Sequence, residues 1–219
     1  MMDFRFDIIA EYSHFFLTGT LVTIGLSLAG VFLGSMLGLF IAIGELLENK
    51  LISFIFKAYV GFFRGTPLFV QILIIYFGVI PALCGEANGI ISAIVALSMN
   101  SGAYIAETLR AGIQSISRGQ VEASRSLGMN KFQSMRYIIL PQAIRRILPA
   151  LGNEFISLIK DSSLASTIAT PELMYWAQSM NAQYYRVWES YVSAALIYLV
   201  LTLTANFILK HFEKKVPVK

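Results

Sequence analysis

The chain has 219 residues, 56% of them hydrophobic and 14% charged, with a formal net charge of +4 and a mean hydropathy of +0.66. Soluble domains carry about a quarter charged residues, so this composition excludes an ordinary water-soluble globule. The positive balance is read as a membrane-topology signal with no nucleic-acid partner, and the single Cys84 excludes an internal disulfide framework or a four-cysteine metal site.

The first apolar block, 15–43, follows Asp3, Asp7 and Glu11 set against Arg5. A secretory signal has a basic start and a shorter apolar core, so the block is expected to be a retained membrane helix. Gly30, Gly34 and Gly38 recur at four-residue intervals on one helix face, where they let a second helix approach closely. Residues 51–57 predict a short amphipathic link at the inner surface.

The second block, 58–80, is interrupted by Arg64-Gly65-Thr66-Pro67. In lipid such a break is tolerated only where protein or a water-filled cavity surrounds it, and transporters use such breaks as sites. Thr66 is positioned to cap a helix opening at Pro67, whose amino end, beside Arg64, favours an anionic group. The same residues also fit an entry turn with Arg64 snorkelling to headgroups. A third block covers 89–113, a fourth 147–168 and a fifth 187–209, each near the roughly 20 residues that a span needs. Between the third and fourth, residues 114–146 mix charges with Ile, Leu, Met, Phe and Tyr, which predicts docked helices rather than a solvated loop. The expected fold is an all-α membrane protein with about five transmembrane helices.

Basic residues fix the expected orientation. Lys50 and Lys57 follow span one; Arg110, Arg118, Arg125, Lys131, Arg136, Arg145 and Arg146 follow span three; Lys210, Lys214, Lys215 and Lys219 end the chain. The positive-inside rule then places the amino terminus outside and the carboxyl terminus in the cytoplasm, which requires an odd number of spans.

Carboxylates at membrane depth usually face a pathway or a partner. Glu154 and Asp161 are seven residues apart, so they share one helix face, separated by roughly 10 Å along the axis. Two acidic groups on one stripe suit an elongated cation with several donors, such as arginine, lysine or histidine. Asp161 equally fits a helix-ending cap with Ser162 and Ser163, and Glu107 fits an ion pair with Arg110. A zwitterion also needs a match for its carboxylate, for which Arg64, Thr66 and Pro67 are the candidates. Gln71, Asn100 and Ser101 are candidate neutral ligands, or polar glue between helices.

In the basic segment the residues read Glu122-Ala123-Ser124, then Gly128, then Ile138-Ile139-Leu140-Pro141. This resembles the coupling signature of ATP-binding-cassette importer permeases, with Ser124 as the one departure. Phe63 to Leu68 with Gln71, and Ala103 to Glu107 with Arg110 to Ile113, resemble the branch that carries polar amino acids. The resemblance implies a type I importer permease fold with a short helix in 114–146 seated on a cytoplasmic ATPase. Glu122, Ala123 and Gly128 stand at that joint, with Ser124, Leu127 and Met129 beside them. It also implies a bacterial inner-membrane location, an ATPase dimer, a second permease subunit and an extracytoplasmic amino-acid-binding protein. The chain contains no Gly-Lys dipeptide, so the phosphate-cradling loop is absent and ATP with Mg is expected on the partner, with no cofactor held here. An ion-coupled carrier or passive channel for small cations, working without an ATPase, is the alternative. An enzyme is not expected: His14 and His211 lie too far apart for a short metal motif, and no metal site is expected.

Overall fold

A computed structural model describes residues 4–47 and 49–215, and within these every regular element is helical. Helix α1, Phe6–Glu45, is 40 residues long, about 60 Å at the usual rise per residue, so it outreaches a bilayer core. It packs along α5, Gly89–Gln114, in the most extensive helix pairing of the structure. The glycine stripe makes that contact. A Cβ on Gly34 would stand 2.9 Å from the Ser101 side chain, and one on Gly38 would stand 2.8 Å from the Gly102 carbonyl oxygen. Gly38→Val therefore forces the two backbones apart and is expected to destabilise the permease by about 1–3 kcal/mol, read as a lower thermal midpoint in detergent. An unchanged midpoint would show that the stripe is incidental.

Asn49 opens α2, Lys50–Gly65, by accepting from the N–H groups of Leu51 (3.0 Å) and Ile52 (3.3 Å). The chain then turns by 109° into a second helical run, Leu68–Cys84. The break is thus a sharp corner between two helices. That run comprises α3 (Leu68–Ile74), a π turn (Ile75–Val79) and α4 (Ile80–Cys84). Its widened turn ends just before Pro81, which offers no N–H to the preceding turn and crowds it. The same solution recurs later, where a π turn at Met135–Ile139 precedes Pro141.

Beyond α5 come α6 (Arg118–Ser126), α7 (Lys131–Ser134) and α8 (Leu140–Asp161), continued by a 3-10 turn at Ser162–Ile168. The expected loop-to-span boundary between 146 and 147 falls inside α8, an amphipathic helix that packs against α5, α1 and α10. Helices α9 (Leu173–Tyr184) and α10 (Val187–Lys215) complete the chain. Among the described residues, α1, α5 and α10 are long and apolar enough to cross a membrane, and the bent α2–α4 run counts as a fourth if it is one span.

Helix α9 was not foreseen. Glu172 accepts from the Tyr175 N–H at 2.8 Å and so caps it. The same fully buried carboxylate accepts from the Tyr198 hydroxyl at 2.6 Å and the Thr23 hydroxyl at 3.4 Å. One side chain thereby ties α9 to α10 and α1, with its lone pairs matched as a buried carboxyl group requires. The central core lies below, where Leu26, Ile72, Ala93, Ala96, Leu97 and Leu158 meet.

Candidate functional site: a polar cavity and an exposed hairpin

The α2–α3 corner, α5 and α8 enclose a cavity of about 390 Å³. Its walls are Thr66, Pro67 and Leu68 from the corner, Asn100 and Tyr104 from α5, and Glu154, Ser157 and Asp161 from α8. Pairs of small residues between α1 and α5 hold α5 in place, and α8 turns its half-buried carboxylates inward. The cavity wall therefore carries two acids and no basic side chain.

Two buried amides shape the corner. The end of α2 leaves carbonyls without helical partners, and Pro67 can donate nothing to them. Gln71 Nε2 reaches the Phe63 carbonyl at 2.9 Å, the Thr66 carbonyl at 3.1 Å and the Thr66 hydroxyl at 2.9 Å. Asn100 Nδ2 donates to Gln71 Oε1 at 2.9 Å and to the Phe63 carbonyl at 3.3 Å. Gln71 thus stands behind the wall as a clasp on the bend, and is absent from the cavity lining. Asn100 does both jobs.

The remaining expected ligands divide. Thr66 lines the cavity, but its hydroxyl donates back to the Phe62 carbonyl at 2.8 Å. It does not cap α3, whose N-cap is Pro67, without a side-chain cap. Ser101 is fully buried where Gly34 presses on it, outside the lining. Arg64 points away, to Glu107, with Nη1–Oε2 at 3.4 Å. Glu107 is also held by Arg110, as the spacing suggested. Asp161 makes no side-chain capping bond at the 3-10 turn and faces the cavity instead. Tyr104 and Ser157 were missed. Tyr104 lies one turn beyond Asn100, and Ser157 falls between Glu154 and Asp161 on the same helical stripe, so helical periodicity carried the signal for both.

A second feature lies in the segment between α5 and α8. Helix α6 ends at Ser126 with Leu127 as its cap residue, and Gly128 adopts φ +77. The Gly128 N–H reaches the Arg125 carbonyl at 2.9 Å, and the Met129 N–H reaches the Ser124 carbonyl at 3.1 Å. Glycine is required there because that left-handed backbone crowds a Cβ. A reciprocal cap between Asn130 and Gln133 then starts α7. Glu122, Ala123, Leu127 and Gly128 are exposed, and Met129 is half-buried. Ser124 is different: its hydroxyl bonds Ser134 Oγ at 2.6 Å inside the hairpin. It therefore joins the two arms and does not present itself to a partner.

A bundle of apolar helices around a polar cavity, with a basic hairpin exposed at one end, defines a membrane transport subunit. The chain belongs to the family of binding-protein-dependent transport system inner membrane components, whose model matches residues 30–218. A putative glutamine transport system permease protein, GlnP, of Rickettsia typhi is 39% identical over 204 residues, covering 93% of this chain and 94% of the relative. The arginine transport system permease protein ArtQ of Bacillus subtilis is 36% identical over 215 residues, covering 98% of each. A crystal structure of an amino acid ABC transporter with histidines superimposes with a TM-score of 0.92 at 41% identity, covering 98% of this chain and 100% of that one. The chain is accordingly a multi-pass transport subunit rather than an enzyme, and ATP hydrolysis is carried by a separate subunit.

Proposed function

We propose that this chain is the permease subunit of an importer for cationic amino acids. The carrying observation is the pair Glu154 and Asp161 in a cavity whose lining contains no basic residue. Two carboxylates in a confined, half-buried wall favour a ligand with two separated cationic groups, which the ammonium and side chain of arginine, lysine or protonated histidine provide. Asn100, Ser157, Thr66 and Tyr104 add neutral hydrogen-bonding groups around them. The relatives named for glutamine and arginine support the amino-acid class. They also set the competing substrate: a neutral amide side chain of similar length.

In this reading the exposed residues Glu122, Ala123, Leu127, Gly128 and Met129 meet a cytoplasmic ATPase dimer, which holds ATP and Mg. A second permease subunit completes the pathway, and an extracytoplasmic binding protein delivers the substrate. The amino terminus lies outside and the carboxyl terminus in the cytoplasm, five crossings being made by α1, the α2–α4 run, α5, α8 and α10. Transport proceeds by alternating exposure of the cavity to the two sides. Membership of a binding-protein-dependent family weighs against an ATPase-free channel or ion-coupled carrier.

The test is competition uptake in vesicles that contain the assembled transporter. Labelled arginine should be displaced by lysine or histidine at concentrations at least about tenfold below those needed with glutamine, a difference of about 1.4 kcal/mol. Better displacement by glutamine would refute the cationic assignment.

A further inference from the structure

Four charged side chains from three helices meet at the end of the bundle where α5 leads into α6. Arg110 grips Glu107, with Nε donating to Oε2 at 3.2 Å and Nη2 to Oε1. Its Nη1 also donates to Gln114 Oε1 at 3.3 Å, and its Nε lies 3.9 Å from Oε2 of Glu45. Arg64 is the weaker partner. It touches only Oε2 of Glu107, at 3.4 Å, an oxygen that Arg110 already uses. Its guanidinium lies over the Tyr104 ring, 5.5 Å from the centroid. Tyr104 is itself a cavity wall, and so is Thr66, two residues along the chain from Arg64. The Arg64 side chain is 40% exposed, so it has open space to move into.

The charges sharpen the point. Glu45 and Glu107 balance Arg64 and Arg110, whereas the cavity has two acids and no base. A cationic amino acid brings two positive groups for those acids and one carboxylate, which no lining residue can match by charge. Of the cations beside the wall, Lys160 lines a separate cavity with Ser163 and Tyr198, and Arg64 is held monodentately behind one aromatic ring. A guanidinium prefers a bidentate carboxylate to a shared single oxygen.

We propose that Arg64 is an exchangeable cation, shared between Glu107 and the carboxylate of a bound amino acid, and therefore determines that the substrate must carry that carboxylate. The proposal rests on the amino-acid reading above. Glu107 acts in it as a competitor, so the apparent affinity for substrate is lowered by the fraction of Arg64 that Glu107 retains.

The test compares arginine with agmatine, its decarboxylated analogue, binding to the purified permease–ATPase complex by titration calorimetry. Wild type should prefer arginine. Glu107→Gln should tighten arginine by about three- to tenfold while leaving agmatine within about twofold. Arg64→Gln should lower arginine to the agmatine level. If Glu107→Gln moves both ligands together or neither, or if Arg64→Gln preserves the arginine preference, the proposal is overturned. Should Glu107→Gln fail to assemble, Arg64→Gln decides alone on the same criterion. Glu154→Gln separates the two readings, since it should weaken arginine and agmatine alike. If it weakens neither, the cationic assignment fails, and glutamine with 4-aminobutanamide replaces the ligand pair in the Arg64 comparison.

Discussion

Glu154→Gln is expected to reduce uptake of arginine, lysine and histidine about 10- to 100-fold, with glutamine uptake changing by less than about threefold. Glu154 is half-buried on the cavity wall beside Ser157 and Asp161. A hydrogen bond to a charged group in such a setting contributes about 1.5–3 kcal/mol, which gives the range. The substitution keeps the shape of the side chain and replaces one acceptor oxygen by an amide donor, so folding and assembly should be unaffected. Asp161 remains, which is why the loss is partial. Initial uptake rates in vesicles, measured for both substrate classes on one preparation, supply the check. An equal loss for glutamine would mean that Glu154 supports the architecture and does not select the ligand.

The second large effect is expected at Leu127. This side chain is 78% exposed at the tip of the hairpin, flanked by the exposed Ala123 and by Gly128 in its left-handed turn. An exposed leucine beside small residues is a poor solvent surface and a good anchor for a partner's cleft. Leu127→Asp removes no contact from the permease interior, so its thermal midpoint should stay within about 2 °C of wild type. A buried anchor converted to an unpaired charge should cost the joint about 2–4 kcal/mol. ATP-dependent uptake should therefore fall by at least about 30-fold. Copurification of the ATPase should fall with it. Full uptake by Leu127→Asp would move the docking surface elsewhere. Ser124→Ala offers a contrast: its bond to Ser134 Oγ lies inside the hairpin, so it should lower stability slightly without abolishing ATPase binding.

How far the sequence led differs from feature to feature, for physical reasons. Membrane helices announce themselves because lipid demands long apolar runs, and α1, α5 and α10 coincide with such blocks. The glycine spacing in α1 foretold a close helix contact, although only the fold reveals α5 as the neighbour. The corner at Thr66-Pro67 was visible from its breakers, but the Gln71–Asn100 clasp behind its 109° turn joins residues far apart in the chain. Glu154 and Asp161 were legible as a stripe because helical periodicity is local.

What escaped was non-local or mixed in composition. Helix α8 is amphipathic and carries Arg145, Arg146 and Pro149, so its true start at Leu140 is hidden by charges that the hydropathy pattern assigns to a loop. Helix α9 depends on Glu172 reaching both Thr23 and Tyr198, contacts that no window along the chain contains. Arg64 looked available to a ligand in the sequence, yet it pairs with Glu107 from α5 in the fold. Gln71 and Ser101 read as candidate ligands but lie outside the cavity lining, because which side of a wall a polar residue serves is decided by neighbouring helices.

This bundle receives the work of accumulation from a separate ATPase. The decisive measurement is arginine uptake into vesicles loaded with the permease, its ATPase and binding protein, run with ATP, with a non-hydrolysable analogue, and with an imposed ion gradient alone. Uphill accumulation only where ATP is hydrolysed is the predicted result. Uphill accumulation driven by the ion gradient with the non-hydrolysable analogue present would contradict it.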